Sequence, residues 1–493
     1  MINIDQKITK IYGKYPERVL QIGEGNFLRA FADWMIETAN EKGVYKGSIL
    51  MTSAKGAGKC AVVNKQNGLY TVVTRGIENG KLISETKPIT SVSRCVDITT
   101  DYKLFIEAAA NPDLQVVISN TTEAGIAFKE DDKATDTPPS SFPAKITAFL
   151  YARFKAFNGD NAKGLLFLPT ELIDHNGDML KKYILAYAIS WNLGKDFEDW
   201  IENANKFTNT MVDRIVTGYP KEAQQVQDIE AELGYKDELL VCCEVFNMWI
   251  IEGKKEWAEI FPLHKANKNV IWTDDVTPYK KRKVGILNGA HTGTVPAAYL
   301  AGHNIVLDFM GDPLFTKYLD VLLFQEVIPT LDLPKEELEQ FAAAVKDRFA
   351  NPYIKHALLD ISLNCCSKFN ARCLPSLLEY KKRKGTLPKV LTFAFAAFIH
   401  FYNGKMENGV FTATRNDGTK YPVRDLPEVI EFFDKLYSAK PSAQELAKAV
   451  LAQTSFWGGQ DLTQVENLQD AVAAHLQEMQ TKPMADLIKK LVA

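Results

Sequence analysis

The sequence predicts an α/β fold in which an N-terminal domain built on a parallel sheet precedes a mainly α-helical C-terminal domain. In the first half of the chain, short apolar strand patterns alternate with helical patterns, which is typical of a parallel sheet covered by helices on both faces. From about residue 284 onward, strand patterns almost vanish and long helical periods follow one another. A chain of 493 residues is also too long for one compact core. We therefore expect two domains, at 1–280 and 281–493.

Each predicted element has its own pattern. Short apolar runs bounded by turn residues predict strands at 18–22, 48–53, 114–119 and 164–169. Helical periodicity predicts helices at 27–41, 143–157 and 178–191, and in the second half at 334–349, 388–402 and 443–451. Thr277-Pro278 and the basic run at 280–283 predict the boundary between the two halves.

Composition and charge exclude several classes of protein. The formal net charge of −3 leaves no overall positive field for a polyanion, so we expect no nucleic-acid partner. The first ten residues lack the apolar core of a secretion signal, and the most apolar stretch, 390–399, is about half as long as a bilayer span. We therefore expect a cytoplasmic protein with no membrane partner, either a monomer or a small homo-oligomer.

Neither the cysteines nor the histidines have the spacing of a metal site. The seven cysteines form no CxxC pair, and there is no HExxH motif. We therefore expect reduced, mostly buried thiols and no bound metal.

A glycine-containing segment, Gly23-Glu-Gly-Asn-Phe-Leu-Arg-Ala30, follows the first strand directly. A tight turn from strand to helix lets backbone amides meet a pyrophosphate, because glycine has no side chain to keep the anion away. The segment predicts a Rossmann-type dinucleotide-binding domain. The cofactor-binding residues expected there are Gly23, Gly25, Asn26, Phe27 and Arg29. Leu28 replaces the third glycine of the full pattern, so an ordinary turn is the alternative.

The residue that would distinguish NAD from NADP is missing. An acidic residue after the second strand normally binds the adenosine ribose, but the sequence has no Asp or Glu between Lys42 and Ile77. Ser53-Ala54-Lys55 stands there instead, and a lysine tolerates a ribose phosphate. We expect NAD(H), with Ser53 at the cofactor, and NADP(H) is not excluded.

A polar cluster follows the third strand, at Asn120-Thr-Thr-Glu-Ala-Gly125. Ligands of open parallel sheets bind outside the carboxyl ends of the strands, so this cluster is predicted beside a nicotinamide. Its cofactor-binding members are Asn120, Thr121, Thr122 and Glu123. The alternative is a capping box that opens a helix, and both interpretations can hold.

The pattern of Lys283, Asn288 and His291 indicates ketone chemistry. On an α-helix turning about 100° per residue, His291 lies about 80° and Asn288 about 140° from Lys283. Ketone reduction requires a proton for the oxygen and donors that polarise it, and these three side chains can divide that work. Lys283 is then the acid/base. The alternative is a solvated basic surface beside a core histidine.

Three ordered motifs together resemble the mannitol dehydrogenase family, the polyol-specific long-chain dehydrogenases. They are the GxGxFxRA pattern at 23–30, Val212-Asp-Arg-Ile215 and the KxxxxNxxH pattern at 283–291. The resemblance covers nearly the whole chain. It implies a Rossmann-type domain, a helical domain and a metal-independent mechanism in which Lys283 exchanges the proton while Asn288 and His291 polarise the oxygen. Lys368 resembles a second lysine of the family that holds substrate, and Asp213-Arg214 is predicted as a buried ion pair.

Other segments resemble the members that act on sugar acids. They are found at 15–31, 119–125, 212–220, 351–356 and 460–465. They imply reversible reduction of D-tagaturonate to D-altronate, with D-fructuronate reduction, polyol oxidation and a catalytically idle dinucleotide sensor as alternatives. Glu171-Leu172 replaces an Asp-Asn pair of the polyol enzymes, and Asp360 replaces an arginine, so mannitol is disfavoured.

A buried substrate carboxylate must be paired with cations. The nominated cations are Lys355, His356 and Lys368, with hydrogen bonds from Asn351 and Tyr353. The alternative is that Lys355 and His356 lie at a helix end or on a wet surface.

Overall fold

The computed structural model describes residues 2–53, 60–122 and 124–493, and the chain divides into two compact units. Unit 1 comprises Met1–Arg75 and Leu82–Val276, and unit 2 comprises Gly76–Lys81 and Thr277–Ala493. Ala54, Lys55 and Glu123, which the sequence placed near the cofactor, lie outside the described residues.

Unit 1 contains the predicted parallel sheet. The strands up to residue 273 are β1 (Ile2–Asn3), β2 (Glu17–Ile22), β3 (Ser48–Ser53), β4 (Tyr70–Glu78), β5 (Lys81–Ile89), β6 (Val92–Asp97), β7 (Val116–Ser119), β8 (Leu166–Pro169), β9 (Lys206–Phe207), β10 (Asn209–Asp213), β11 (Val216–Gly218), β12 (Tyr235–Lys236), β13 (Val241–Cys243), β14 (Met248–Glu252) and β15 (Val270–Thr273). Six of them form a sheet in the order β6-β3-β2-β7-β8-β9, and every neighbouring pair is parallel. The strand order reverses between β2 and β7, so a ligand crevice is expected at their carboxyl ends.

Helices cover both faces of this sheet. The helices of unit 1 are α1 (Ile4–Lys7), α2 (Asn26–Ala30), α3 (Ala32–Glu41), α4 (Cys60–Lys65), α5 (Tyr102–Glu107), α6 (Phe142–Ala156), α7 (Asn176–Ser190), α8 (Lys195–Ala204) and α9 (Ala223–Leu233). Neighbouring residues of one strand enter different cores, since Val19 packs in one apolar cluster and Leu20 in another. A strand buried on both faces reads as a continuous apolar run, which is why the sequence predicted β2, β3, β7 and β8. Strands β6 and β9 of the same sheet were missed. The predicted fold class is confirmed.

Three further sheets among the described residues of unit 1 were not indicated by the sequence. One is the parallel pair β1-β12. The other two have the orders β11-β13-β4-β5 and β10-β14-β15, and both mix parallel neighbours with antiparallel ones. Most of their strands are short, and their partners lie far away in the chain. The helix predicted at 27–41 is also interrupted, because Phe31 (φ −118°, ψ −78°) separates α2 from α3.

Unit 2 is mainly helical, as predicted. Its helices are α10 (Thr277–Arg282), a π-helix (Lys283–Asn288), α11 (Gly289–Leu300), α12 (Val306–Met310), α13 (Pro313–Asp320), a second π-helix (Val321–Val327), α14 (Lys335–Phe349), α15 (Leu358–Ile361), α16 (Cys365–Arg372), α17 (Leu374–Lys384), α18 (Lys389–Phe401), α19 (Pro427–Ser438), α20 (Ala443–Leu451), α21 (Leu468–Met479) and α22 (Met484–Leu491). Helix α18 is buried from Val390 to Phe401 and packs on α11 and α21. A small antiparallel sheet was missed, with strands β16 (Gly404–Glu407), β17 (Val410–Thr414) and β18 (Lys420–Pro422).

The prediction that the cysteines are reduced is wrong for one pair. Cys60, the first residue of α4, and Cys95 of β6 form a disulfide. Their separation of 35 residues matches no short cysteine motif, so the pairing could not be predicted from the sequence. The remaining cysteines described in the structure are free thiols, at positions 242, 243, 365, 366 and 373.

Within residues 2–53, 60–122 and 124–493, no helix combines the length and the apolar character needed to cross a bilayer.

Candidate active site

The glycine turn lies where the parallel sheet reverses its strand order. Gly23 follows β2 with φ of +119°, a left-handed conformation that favours glycine, and its N–H donates to the carbonyl of Thr52 on β3 (3.0 Å). A β-carbon at Gly23 would approach the carbonyl oxygen of Asn120 to 3.4 Å, whereas one at Gly25 would meet no described atom within 4 Å. The turn therefore borders the loop that follows β7 and leaves its own backbone open at Gly25.

Arg29 braces this turn from inside the protein. Its buried guanidinium donates to the carbonyl of Glu24 (3.2 Å), to the carbonyl of Leu239 and to Oδ1 of Asn26 (2.7 Å), and it lies over the Tyr70 ring. Phe27, which the sequence also placed at the cofactor, stacks on Phe31 with ring centroids 4.9 Å apart. These contacts hold the turn in shape, which is how Arg29 and Phe27 would support a bound dinucleotide.

A buried carboxyl group lies beneath the turn. Nε2 of Gln21 donates to the carbonyl of Gly23 (3.0 Å) and lies 3.5 Å from Oδ2 of Asp33, which also accepts from the Tyr70 hydroxyl. Burial raises the pKa of Asp33 to about 7, although the hydrogen bonds from Tyr70 and Gln21 oppose the shift. The network links the charge state of Asp33 to the glycine turn.

The polar loop after β7 is held by an acidic residue. Glu171 accepts hydrogen bonds from the N–H of Thr121 (2.8 Å), the hydroxyl of Thr121 (3.0 Å) and the hydroxyl of Ser119 (3.1 Å). The Asn120 side chain donates to the carbonyl and the hydroxyl oxygen of Thr170. Glu171 is buried, which raises its pKa despite these donors. The residue that replaces an acidic position of the polyol enzymes therefore shapes the predicted nicotinamide loop.

No helix begins among the described residues of this loop. Residues 120–122 and 124–125 form irregular structure and a turn, and α6 begins only at Phe142, so the capping-box alternative is wrong. Ser53 is buried at the end of β3, the strand that neighbours β2.

The Asp213-Arg214 motif supports the same region. Arg214 donates to the carbonyls of Ala30 (2.7 Å) and Glu244 (3.1 Å), and its guanidinium lies 4.6 Å from the centre of the Trp34 ring. The arginine therefore anchors the end of α2, the helix that follows the glycine turn.

In unit 2, Lys283 and Asn288 are the first and last residues of a π-helix, and both are partly buried. The α-helical spacing assumed from the sequence is wrong for this segment. In a π-helix the hydrogen bonds join residues five apart, so Asn288 follows Lys283 on the same face of the helix. His291 comes one turn later, in α11.

His291 is surrounded by cations. Its ring stacks on Phe349 (centroids 4.0 Å apart, interplanar angle 10°) and meets the edge of the His356 ring at 5.6 Å. Burial lowers the pKa of His291 well below its usual value, and His356, Arg348, Arg372 and Lys368 lower it further. The imidazole is therefore neutral at pH 7, able to donate or accept a hydrogen bond without carrying charge.

Lys368 and Arg372 lie one helical turn apart on α16. Lys368 donates to the carbonyl of Ile361 (2.9 Å), and burial and Arg372 lower its pKa. Arg372 donates to the hydroxyl of Thr292 (3.3 Å), the residue after His291. Sequence reasoning missed Arg372 and Arg348, although the spacing of four residues from Lys368 could have indicated Arg372.

The other residues nominated to bind the substrate carboxylate do not all lie beside His291. His356 is partly buried beside His291, but Lys355 is exposed. Asn351 is buried and its Oδ1 accepts from the N–H of Tyr353 (3.0 Å), which closes a local turn. Among the residues that the structure describes, no cluster of three His, Cys, Asp or Glu side chains could hold a metal ion.

Comparison with known proteins decides the family. The family model for the mannitol dehydrogenase Rossmann domain matches residues 17–265, and the model for the mannitol dehydrogenase C-terminal domain matches residues 275–480. The chain belongs to the mannitol dehydrogenase family. It is therefore an oxidoreductase, and the recognition made from three sequence motifs is confirmed.

Curated relatives and solved structures agree with this assignment. The chain is 44% identical over 483 residues to altronate oxidoreductases of Escherichia coli O139:H28 and of Shigella flexneri, covering 97% of both chains in each comparison. Among solved structures, it resembles Pseudomonas fluorescens mannitol 2-dehydrogenase in a ternary complex with NAD and D-mannitol (TM-score 0.66, 23% identity, 100% and 99% coverage). It also resembles a substrate-free D-sorbitol dehydrogenase (TM-score 0.80, 21% identity, 99% and 100% coverage). At these identities the two structures support the fold of this mannitol dehydrogenase family member.

Proposed function

We propose that this chain is a cytoplasmic, NAD-dependent oxidoreductase that interconverts D-tagaturonate and D-altronate in hexuronate catabolism. In this proposal residues 1–280 bind the cofactor and residues 281–493 carry the catalytic and substrate-binding groups. The observation that carries it is the group of cations around His291, in the unit that also holds Lys283 and Asn288. Its agreement with the altronate oxidoreductases along 97% of the chain supports the same substrate class.

The carboxyl ends of β2 and β7 fit a dinucleotide. Gly23 and Gly25 keep side chains away from the turn, and Asn120, Thr121 and Thr122 follow β7 at the adjacent strand end. When bound, nicotinamide supplies the hydride that reduces the carbonyl carbon. Ser53, at the end of the neighbouring strand β3, is proposed on the ribose side.

Lys283, Asn288 and His291 handle the carbonyl oxygen. We assign Lys283 Nζ as the group that gives its proton to the oxygen during reduction and takes it back during oxidation. The amide of Asn288 and the neutral imidazole of His291 are donors that polarise the oxygen as negative charge develops on it. A neutral His291 is suited to this role because it does not compete with Lys283 as an acid.

The substrate carboxylate distinguishes a uronate from a neutral sugar. Of the nominated ligands, Lys368 lies in the cation cluster around His291 and supports carboxylate binding better than the exposed Lys355. Burial lowers the pKa of His356, so its imidazole serves as a hydrogen-bond donor rather than as a cation. Asn351 contributes by shaping the turn that leads from α14 to His356.

The test measures substrate and cofactor together. Absorbance of reduced nicotinamide is followed with NADH or NADPH and D-tagaturonate, D-fructuronate or D-fructose, and in the oxidative direction with mannitol. We expect the highest kcat/KM with NADH and D-tagaturonate. Preference for D-fructuronate would reassign the substrate within the uronates, and preference for fructose or mannitol would contradict the proposal. No turnover with any substrate would favour a dinucleotide-binding sensor.

A further inference from the structure

Two arginines that the proposed mechanism does not use lie beside His291. Arg372 is the last residue of α16, and its Nη1 donates to the hydroxyl of Thr292 at 3.3 Å. Arg348 lies in the last turn of α14, next to Phe349, whose ring stacks on the His291 imidazole. The two side chains come from different helices, and both lie close enough to the imidazole of His291 for their positive charges to lower its pKa.

The acidic residues near this cluster have other partners. Asp360 is exposed and pairs with Arg424 at 2.9 Å. Asp425 accepts from the N–H of Cys366 (3.0 Å) and from the hydroxyl of Tyr402. The hydrogen bonds that the structure gives Lys368 and Arg372 go to neutral oxygens, those of Ile361 and Thr292. A partly buried cation is costly unless an anion accompanies it, so this pair favours an anionic ligand.

Arg372 is better suited to that anion than the lysines are. It is partly exposed, so that a solute can reach it, whereas Arg348 is only 7% exposed. A guanidinium presents two parallel N–H donors that match the two oxygens of a carboxylate, and a lysine offers only a point charge. Lys368 lies four residues earlier on the same helix, so both cations are on one face of α16.

We propose that Arg372 binds the carboxylate of the sugar-acid substrate and determines the preference for a uronate over a neutral ketose. Arg348 adds a second positive charge near His291. The inference rests on the proposed function and names the residue that gives it its substrate class.

The experiment compares two substrates that differ only at the carboxylate. D-Tagaturonate and D-tagatose are measured with NADH, because D-tagatose carries a hydroxymethyl group where D-tagaturonate carries the carboxylate. We expect Arg372→Gln to lower kcat/KM for D-tagaturonate by about 10- to 100-fold, since a hydrogen bond to a charged group contributes that much. Most of the loss should appear in KM, and the value for D-tagatose should change less than about threefold.

Arg372→Lys tests geometry against charge. It keeps the positive charge and loses the paired donors, so we expect a smaller loss that is again confined to D-tagaturonate. It also decides the question if Arg372→Gln does not fold. Arg348→Gln should give a weaker selective loss. Arg383→Gln is the matched control, because this arginine lies on α17 and pairs with Glu379 and Asp332, and we expect no change in either substrate.

The outcomes separate this inference from the proposed function. The variants must first match the parent protein in unfolding midpoint and in NADH binding. If kcat/KM then falls equally for both substrates, or falls for neither, the role of Arg372 alone is overturned. If the parent protein itself turned over D-tagatose or mannitol better than D-tagaturonate, the proposed function would fail whatever the arginine variants do.

Discussion

The buried carboxyl group of Asp33 under the glycine turn should make the free energy of unfolding depend on pH. Asp33 is fully buried, and burial raises its pKa from 3.8 to about 7. Tyr70, Gln21 and Arg29 oppose this shift, while Glu37 adds to it. Because the folded state holds the proton more tightly than the unfolded chain, Asp33 makes the protein less stable as the pH rises from about 4 to about 7.

The size of the effect follows from the shift. About three pKa units at 1.36 kcal/mol each correspond to about 4 kcal/mol across the whole range, of which about 2 kcal/mol falls above pH 5.5. Asp33→Asn removes the titration and keeps the shape. In the native protein, Oδ1 of Asp33 and Oε1 of Gln21 lack a donor among the described residues. An asparagine amide can donate to Gln21 while its oxygen still accepts from Tyr70. We therefore expect the variant to be more stable than the parent protein by about 4 kcal/mol at pH 8.5 and by about 2 kcal/mol at pH 5.5, because Asp33 is ionised in the unfolded parent chain at both pH values.

Urea unfolding followed by tryptophan fluorescence measures this difference in the free energy of unfolding for unit 1. Of the seven tryptophans, only Trp457 lies in unit 2, so the signal reports mainly on unit 1. Asp113→Asn, which removes an exposed carboxylate, is the control and should leave the pH dependence unchanged. A variant less stable than the parent at pH 8.5 by 1 kcal/mol or more would refute the reasoning, since it would mean that Asp33 is needed as an anion beside Arg29.

Three further predictions concern the catalytic lysine, the cofactor loop and the cysteines. Lys283→Ala should lower kcat by about two orders of magnitude or more, while a fluorescence titration should show that NADH still binds. The control Lys281→Ala changes an exposed lysine and should keep the kcat of the parent protein. Equal kcat in the two variants would contradict the role assigned to Lys283. Glu171→Gln leaves one acceptor oxygen for the three donors of Thr121 and Ser119, so the Kd for NADH should rise about tenfold, while Leu172→Ala beside it should have no effect. In protein purified and unfolded without reductant, Ellman's reagent should detect five of the seven thiols, and seven after reduction; seven in both would exclude the Cys60–Cys95 bond.

Elements whose signals are local were predicted well from the sequence. The boundaries of α20 agree at both ends, because Ser442 and Glu445 form a capping box that is visible as a Ser-x-x-Glu pattern. Strand β3 agrees as well, since a strand buried on both faces is one continuous apolar run. The break at Phe31 was missed, because neither glycine nor proline marks it.

Features that depend on distant partners were not predictable. Strand β13 has three residues and pairs with β4, some 170 residues earlier, for example Val241 with Val72. The cation cluster around His291 gathers side chains from α14, α16 and the segment between them, and one sequence shows neither their distances nor their burial. The three residues proposed for catalysis could be nominated from the sequence because they share one stretch of nine residues, 283–291.

The π-helix at Lys283–Asn288 has less regular hydrogen bonding than an α-helix, but it sets the position of Lys283 relative to His291. Such a turn is in effect an α-helix that carries one surplus residue, and such turns recur at functional sites. Removing Gly285, a buried residue against Val327 of the second π-helix, would restore regular α-helical pairing while rotating Lys283 by about 100° relative to His291. We expect such a deletion to give a helix with more regular hydrogen bonds and, on the role proposed for Lys283, an enzyme without its acid.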